Sequence, residues 1–247
     1  MDYIAFIKDV FRHTQQHILK AFPAESSHEK ESREVVTKTD KEIETYVREH
    51  IMAVYPEHGI IGEEYDDHNP NSPYQWVIDP VDGTTNFAHA IPLFCTAIAL
   101  LHNNTVIAAG VNLPITQTTY VAEKDKGAYK NDKQLRTQTQ DIKKSIIGFC
   151  HANDKEGIQT ISRLYEEYKH KTRDFRRLGS ANLEICMVAS GELAGFLGYR
   201  IKPWDFLAGC LIAAEAGCNV SGWNNDDWQQ PKTESVKVSA PNINLNT

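Results

Sequence analysis

The 247-residue sequence predicts an α+β fold of alternating helical and sheet layers. Three observations support this. Two helix-period segments open the chain, short β-rich runs separated by turn signals follow, and from Ser145 onward strands and helices alternate. Residues 2–21 form the first predicted helix, with Tyr3, Ile7, Val10, Thr14 and Ile18 along one face. The second runs from Thr39 to Tyr55 on Ile43, Val47, Ile51 and Val54, with Thr39 and Glu42 as its capping box and Pro56 as its stop. Between them, the polar start of HEKESREVV is expected to be a mobile loop.

The β-rich runs are Gly59 to Gly62, Gln75 to Ile78, Thr96 to Leu101, Thr105 to Val111 and Thr118 to Ala122. HNN and KND mark turns among them, the pattern of a mostly antiparallel meander. Beyond Ser145, SIIGFC, DFRRL and LAGFL read as strands, and Lys155 to Tyr168, Ser180 to Ser190 and Trp204 to Ala216 as helices. No repeat, low-complexity segment or Pro/Gly-rich linker interrupts this order. One compact unit over residues 1–247 is therefore expected, with an α+β half to about residue 140 and an α/β half from about 141, and a cleft between them.

A composition of 41% hydrophobic and 24% charged residues is that of a globular domain rather than a disordered chain. The formal charge of −7, with no basic block, argues against nucleic acid or an anionic membrane as partner and leaves a small ligand. The five cysteines lack CxxC spacing and sit mostly in apolar runs, as buried thiols of a reducing compartment do. The longest uncharged apolar run, Ile91 to Leu101, is about half of the ~20 residues a bilayer requires, and MDYIAFIKDV has charges where a signal peptide needs its apolar core. The expected location is the cytoplasm.

Chemistry concentrates in WVIDPVDGTTNFAH, residues 76–89. Val77 and Ile78 read as the end of a buried strand, Pro80 as its block and Gly83 as a tight turn, so Asp79 and Asp82 leave the sheet around one bend. Two carboxylates held so close repel unless a cation lies between them, and oxygen-only ligands suit Mg²⁺ or Mn²⁺ rather than Zn²⁺. GTTNF then opens a turn or helix whose N–H groups can seat a phosphate. Taken singly, DP and DG mark turns, but turn chemistry does not explain an apolar strand followed by two acids, glycine and hydroxyls. Glu63 and Glu64 leave another short β run upstream, and Asp205 stands in the first turn of a very apolar helix.

These residues carry a resemblance. GEE at 62–64, DPVDGTTNF at 79–87 and WDFLAGCLIAAEAG at 204–217, with VVTKTD at 35–40 ahead of them, resemble the signatures of the inositol monophosphatase family in order and separation. The resemblance spans roughly residues 1–240 and implies a layered α/β/α/β/α sandwich of the sugar-phosphatase type, with phosphomonoesterase activity dependent on two to three Mg²⁺, lithium sensitivity and a homodimer. It assigns Glu63, Asp79, Asp82, Asp205 and the carbonyl of Val81 to the metals, and Glu63, Thr84 and Asp40 to catalysis, Asp40 orienting Thr84. Gly83 and Thr84 would bind the phosphate; Ser180, Ala181, Arg200 and Lys202 would form the substrate rim. Asp82→Asn or Asp205→Asn is expected to abolish turnover with the fold intact.

The substrate that this resemblance implies is inositol 1-phosphate, yet Gly198 stands where the animal inositol enzymes carry a glutamate seven places before the last metal aspartate. Arg176, Arg177, Arg200 and Lys202 favour a second anionic group, as in NADP or fructose 1,6-bisphosphate. The resemblance also implies a closing helix after VKVSA, where the sequence instead ends PNINLNT. A non-catalytic phosphate sensor is the rival class, disfavoured by the intact acids. Other chemistries fail on spacing. No cysteine has arginine six places on, Asp79 and Asp82 are not DxD, and an EF-hand from Asp79 would have Thr84 at its glycine place. HTQQH has Thr14 where a zinc protease needs glutamate, and GxSxG and the P-loop are absent.

Overall fold

A computed structural model describes residues 2–22, 27–29, 35–229 and 234–245. The helix α1 (Tyr3–Ala21) is followed by the hairpin β1 (Ser27–Glu29) and β2 (Val35–Thr37), then α2 (Lys38–Val54). Part of the segment expected as a loop is thus β1, and residues 30–34 lie outside the described residues. The capping box of α2 also differs from expectation. Thr37, not Thr39, is the N-cap, and Asp40, not Glu42, closes the box by accepting from the Thr37 N–H at 2.8 Å. The β-branched start VVT stays extended to Thr37 because it pairs with β1, which moves the cap two residues upstream.

β3 (Gly59–Gly62), β4 (Tyr74–Asp82), α3 (Thr84–Ala88), β5 (Cys95–His102), β6 (Thr105–Leu113), β7 (Thr118–Glu123), β8 (Gly127–Lys130) and β9 (Lys133–Leu135) follow. The seven strands form one sheet in chain order, β3 parallel to β4 and every later pair antiparallel, the meander that the turn signals predict. Next come β10 (Ile146–His151), α4 (Lys155–Lys169), β11 (Asp174–Arg176), α5 (Ala181–Ser190), β12 (Gly195–Tyr199), α6 (Pro203–Glu215), β13 (Asn219–Gly222) and β14 (Val236–Ser239). Their sheet has the order β11-β10-β12-β14-β13, parallel around β10 and antiparallel around β14.

Strand alternation assigns the layers. On β4 and β5, Trp76, Ile78, Ile98 and Leu100 pack with Ile7, Val10, Phe11, Ile43, Val47 and Ile51 of α1 and α2. The intervening Val77, Cys95, Ala97 and Ala99 face the other way, into a core with Ile185, Val188, Phe206 and Leu211 of α5 and α6. Val236 and Val238 of the second sheet join that core, so α5 and α6 lie between the sheets. Ile161 and Leu164 of α4 pack against Ile147, Phe175 and Leu197 on the far face of the second sheet. The order is α/β/α/β/α. α5 and α6 can be apolar all round because both of their faces are covered.

Candidate metal centre

The acids of the DPVDG segment owe their placement to a bulge. Pro80 does not end β4, which continues to Asp82. β3 pairs with β4 only as far as Ile78, so the missing Pro80 N–H leaves no ladder partner unsatisfied. Asp79 pairs with Ala97 and Asp82 with Cys95, leaving two residues, Pro80 and Val81, against one, Thr96, and the extra residue reverses the alternation. Val81 therefore packs towards α1 and α2 with Trp76 and Ile78, while Asp79 and Asp82 share the opposite side.

Asp82 is held by the start of α5: its Oδ1 accepts from the Ala181 N–H at 3.0 Å and its Oδ2 from the Asn182 N–H at 2.6 Å. Asp205, third residue of α6, accepts from the Lys202 N–H at 2.7 Å. Ligand atoms of Asp79, Asp82 and Asp205 all lie within 4.8 Å of one another. Glu63, leaving the parallel neighbour of β4 at the same end, lines the same cleft of about 420 Å³ and, after burial itself, is the largest influence raising the Asp79 pKa. Burial and these neighbours hold the Asp79 carboxyl well above the usual carboxylate range, and burial brings Asp82 to about 6. Asp79 Oδ1 is buried without a hydrogen-bond partner among the described residues. An orphaned carboxylate oxygen facing two further acids fits a hard divalent cation, since an isolated buried carboxylate is otherwise strongly disfavoured.

The turn after Asp82 needs glycine. Gly83 has φ 98°, and a Cβ there would lie 3.0 Å from the Leu93 carbonyl and 3.1 Å from that of Gly179. Thr84 then lies with its Oγ1 3.1 Å from Asp40 Oδ1 and 3.0 Å from the Val81 carbonyl. Burial raises the Asp40 carboxyl to about 6. Gly83, Thr84 and Ala181 line the cleft, whereas Ser180 is buried behind it, 3.5 Å from Cys95 Sγ and against Asp82. Among the rim cations, Arg177 and Lys202 line the cleft. Arg200 pairs with Glu156 at 2.6 Å and Asp154 at 3.2 Å in an adjoining cavity that shares Cys150, Asn153, Lys202 and Asp205 with the first. Arg176 pairs with Asp174 at 2.5 Å and is not part of either lining. A Cβ on Gly198 would lie 2.6 Å from Ile201 Cδ1, so this position is filled by packing.

Several supporting residues were not anticipated. Glu44, fully buried on α2 and paired with Arg48 at 2.8 Å, accepts from the Glu64 N–H at 2.8 Å and so fixes the loop carrying Glu63. Its carboxylate passes so near Gly62 that a Cβ there would lie 2.0 Å from Oε1, which explains the glycine of GEE. Asn86 donates to the carbonyls of Leu93 and Leu178, and Asn182 joins α5 to α6 through the Trp204 carbonyl and the Gly209 N–H. Glu215, the last residue of α6, accepts from the Asp125 and Gly127 N–H groups, both at 2.8 Å. The available signal was an acid at core spacing, as Glu44 is beside Ile43 and Val47.

Glu184 extends this support. Its Oε1 accepts from the Leu178 and Gly179 N–H groups at 3.0 and 3.1 Å, its Oε2 is buried without a partner among the described residues, and burial pushes its pKa to about 8. An acid whose folded pKa exceeds its unfolded value holds an extra proton when native, so stability falls as pH rises from the ordinary carboxylate range through about 8. Thermal melts between about pH 6 and 9 should decline in the wild type and decline less in Glu184→Gln. Equal slopes would refute the buried-proton account.

Fold and site together define a class: an α/β sandwich whose cleft, at the ends of its two sheets, is lined by converging carboxylates. The sequence profile of the inositol monophosphatase family matches residues 2–246, and the chain belongs to that family. It is 35% identical over 195 residues to the putative Nus factor SuhB of Neisseria meningitidis, covering 78% of this chain and 75% of the relative. It is 32% identical over 196 residues to the fructose-1,6-bisphosphatase/inositol-1-monophosphatase of Aquifex aeolicus, covering 78% and 74%. The solved structure of a Thermotoga maritima IMPase superposes with a TM-score of 0.88 at 26% identity over 98% of this chain and 93% of that one. Among the described residues no helix is long and apolar enough to cross a membrane.

Proposed function

We propose that the chain is a Mg²⁺-dependent phosphomonoesterase that hydrolyses inositol 1-phosphate or a related small phosphate ester. The observation that carries this reading is the buried, unpartnered Asp79 Oδ1 beside Asp82 and Asp205. Glu63, Asp79, Asp82, Asp205 and the Val81 carbonyl would hold the cation, which when bound neutralises charge on the phosphoryl group and lowers the pKa of the attacking water. Mn²⁺ is the second choice for the same oxygen donors.

The chain's own groups do the remaining work. Thr84 Oγ1, oriented by its hydrogen bond to Asp40 Oδ1 3.1 Å away, accepts a hydrogen bond from the attacking water or passes its proton on, and an Asp40 pKa of about 6 leaves that carboxylate an acceptor near neutral pH. The N–H groups of Gly83 and Thr84 receive phosphoryl oxygens, and no covalent nucleophile is needed. Ala181 lines the substrate side of the cleft, and Ser180 acts from behind Asp82. Arg177 and Lys202 receive a second anionic group of the substrate, with Arg200 further out. That pair of cations favours NADP or fructose 1,6-bisphosphate as the alternative substrate, and the name of the Aquifex relative is in keeping with the latter. Lithium sensitivity and a homodimer belong to this proposal through family resemblance, and a cytoplasmic location through the cysteine pattern and the charged start of the sequence.

Phosphate release measured over inositol 1-phosphate, NADP and fructose 1,6-bisphosphate should rise saturably with Mg²⁺ and vanish in EDTA. Ester binding without release at any Mg²⁺ concentration would instead identify a phosphate sensor.

A further inference from the structure

The outer face of β13 and β14 carries a group that the reaction does not use. Val220, Val236 and Val238 point into the core with α5 and α6. The alternate residues are polar and meet in register: Asn219 opposite Ser239, Ser221 opposite Lys237. A cavity of about 360 Å³ lies over them, bounded also by Asn225 and by the chain from Pro241 to Leu245. Lys237 lines this cavity and is only 7% exposed.

Its Nζ donates to Asn225 Oδ1 at 2.9 Å, the one hydrogen bond it makes among the described residues. No carboxylate among those residues lies within 4.0 Å of it, and Asp226, which acts on it from further away, is turned towards Gly222. An ammonium has three donors, and burying one without a counter-charge is unfavourable unless something else pairs with it. Burial correspondingly lowers the Lys237 pKa. Elsewhere the buried cation is paired: Arg48, also largely covered, meets the Glu44 carboxylate at 2.8 Å. Around Lys237 the lining is of hydroxyls and neutral amides, which do not neutralise an ammonium; Ser239, Asn219 and Asn242 already donate to backbone carbonyls, whereas the Ser221 hydroxyl is uncommitted among the described residues.

We infer that the cavity over β13 and β14 is a second, non-catalytic binding site for a small oxyanion, the phosphate or carboxylate group of a free metabolite. Lys237 supplies the charge, Ser221 donates its hydroxyl beside it, and Asn225 fixes the ammonium. The site is built on the sheet face opposite α5 and α6 and shares no lining residue with the acid-lined cleft.

The test is thermal unfolding of the full chain in EDTA, which keeps phosphate from being drawn to a metal at the acids. Sodium phosphate and sodium malonate are each titrated against sodium chloride at matched ionic strength. The expected result is a rise in Tm over chloride for at least one of the two, the responding salt identifying phosphate or carboxylate as the ligand chemistry. Lys237→Met should abolish that rise and Ser221→Ala should weaken the apparent Kd about tenfold, while Mg²⁺-dependent phosphate release stays unchanged in both. A wild type that responds to neither salt beyond chloride overturns the proposal. So does a Lys237→Met protein that keeps the full rise. If Lys237→Met fails to fold, Ser221→Ala decides, an unchanged Kd counting against the site.

Discussion

Asp205→Asn is expected to lower kcat by about 10²–10³-fold or more while the protein remains folded. Asp205 Oδ2 accepts the Lys202 N–H, and asparagine keeps one carbonyl oxygen for that bond, so the start of α6 survives. What asparagine removes is one of three converging charges. Circular dichroism and melting temperature should match the wild type, and phosphate release should not. Retention of wild-type turnover would refute the metal assignment. Asp82→Asn is a poorer test than the motif alone implies. Both Asp82 oxygens accept backbone N–H groups at the start of α5, so the amide NH₂ must oppose one of them, at a cost of about 1–3 kcal/mol. Lost activity in that variant would mix a missing charge with a loosened helix.

Removing divalent cations should destabilise the protein above about pH 6 and have little effect at about pH 5. The sign follows from the folded pKa values. Asp82 is raised to about 6 and Asp79 well above the carboxylate range, so without a cation the native state binds more protons than the unfolded chain. The stability penalty is absent below the unfolded pKa, grows as pH rises through about 6 and persists beyond it. A divalent cation that binds the ionised acids reverses this trend, with a gain of about 2.7 kcal/mol when its concentration is 100-fold above Kd. Melting curves with Mg²⁺ and with EDTA should therefore diverge as pH rises. Curves that coincide at every pH would show that the acids do not share a cation.

The acids were legible because each sits in a short local pattern whose chemistry is carried by residue type: DPVDG, GEE and the WD pair. The layer order was legible from hydrophobic periods that switch from helical to alternating and then mix. What sequence reading missed depends on partners far along the chain. Glu44 meets the Glu64 amide 20 residues away, and Asn86 meets the Leu178 carbonyl 92 residues away. Nothing local distinguishes such residues from exposed polar ones except their place on a buried face. Pro80 misled for a related reason: whether proline ends a strand depends on whether a neighbour needs its N–H, and β3 stops short of it. Lys237 reads as an ordinary alternating position in VKVSA until it is seen that no carboxylate among the described residues pairs with it directly.

The bulge in β4 is what lets two residues separate aspartates that face the same way. Deleting Pro80 or Val81 would let β4 and β5 keep an unbroken ladder, and no hydrophobic residue of the main core would be lost from its layer before that point. In that ladder Asp82 would remain on the side of Asp79, opposite Cys95; it is keeping both residues without the bulge that would turn Asp82 to the side of Trp76 and Ile78, away from the amides of Ala181 and Asn182.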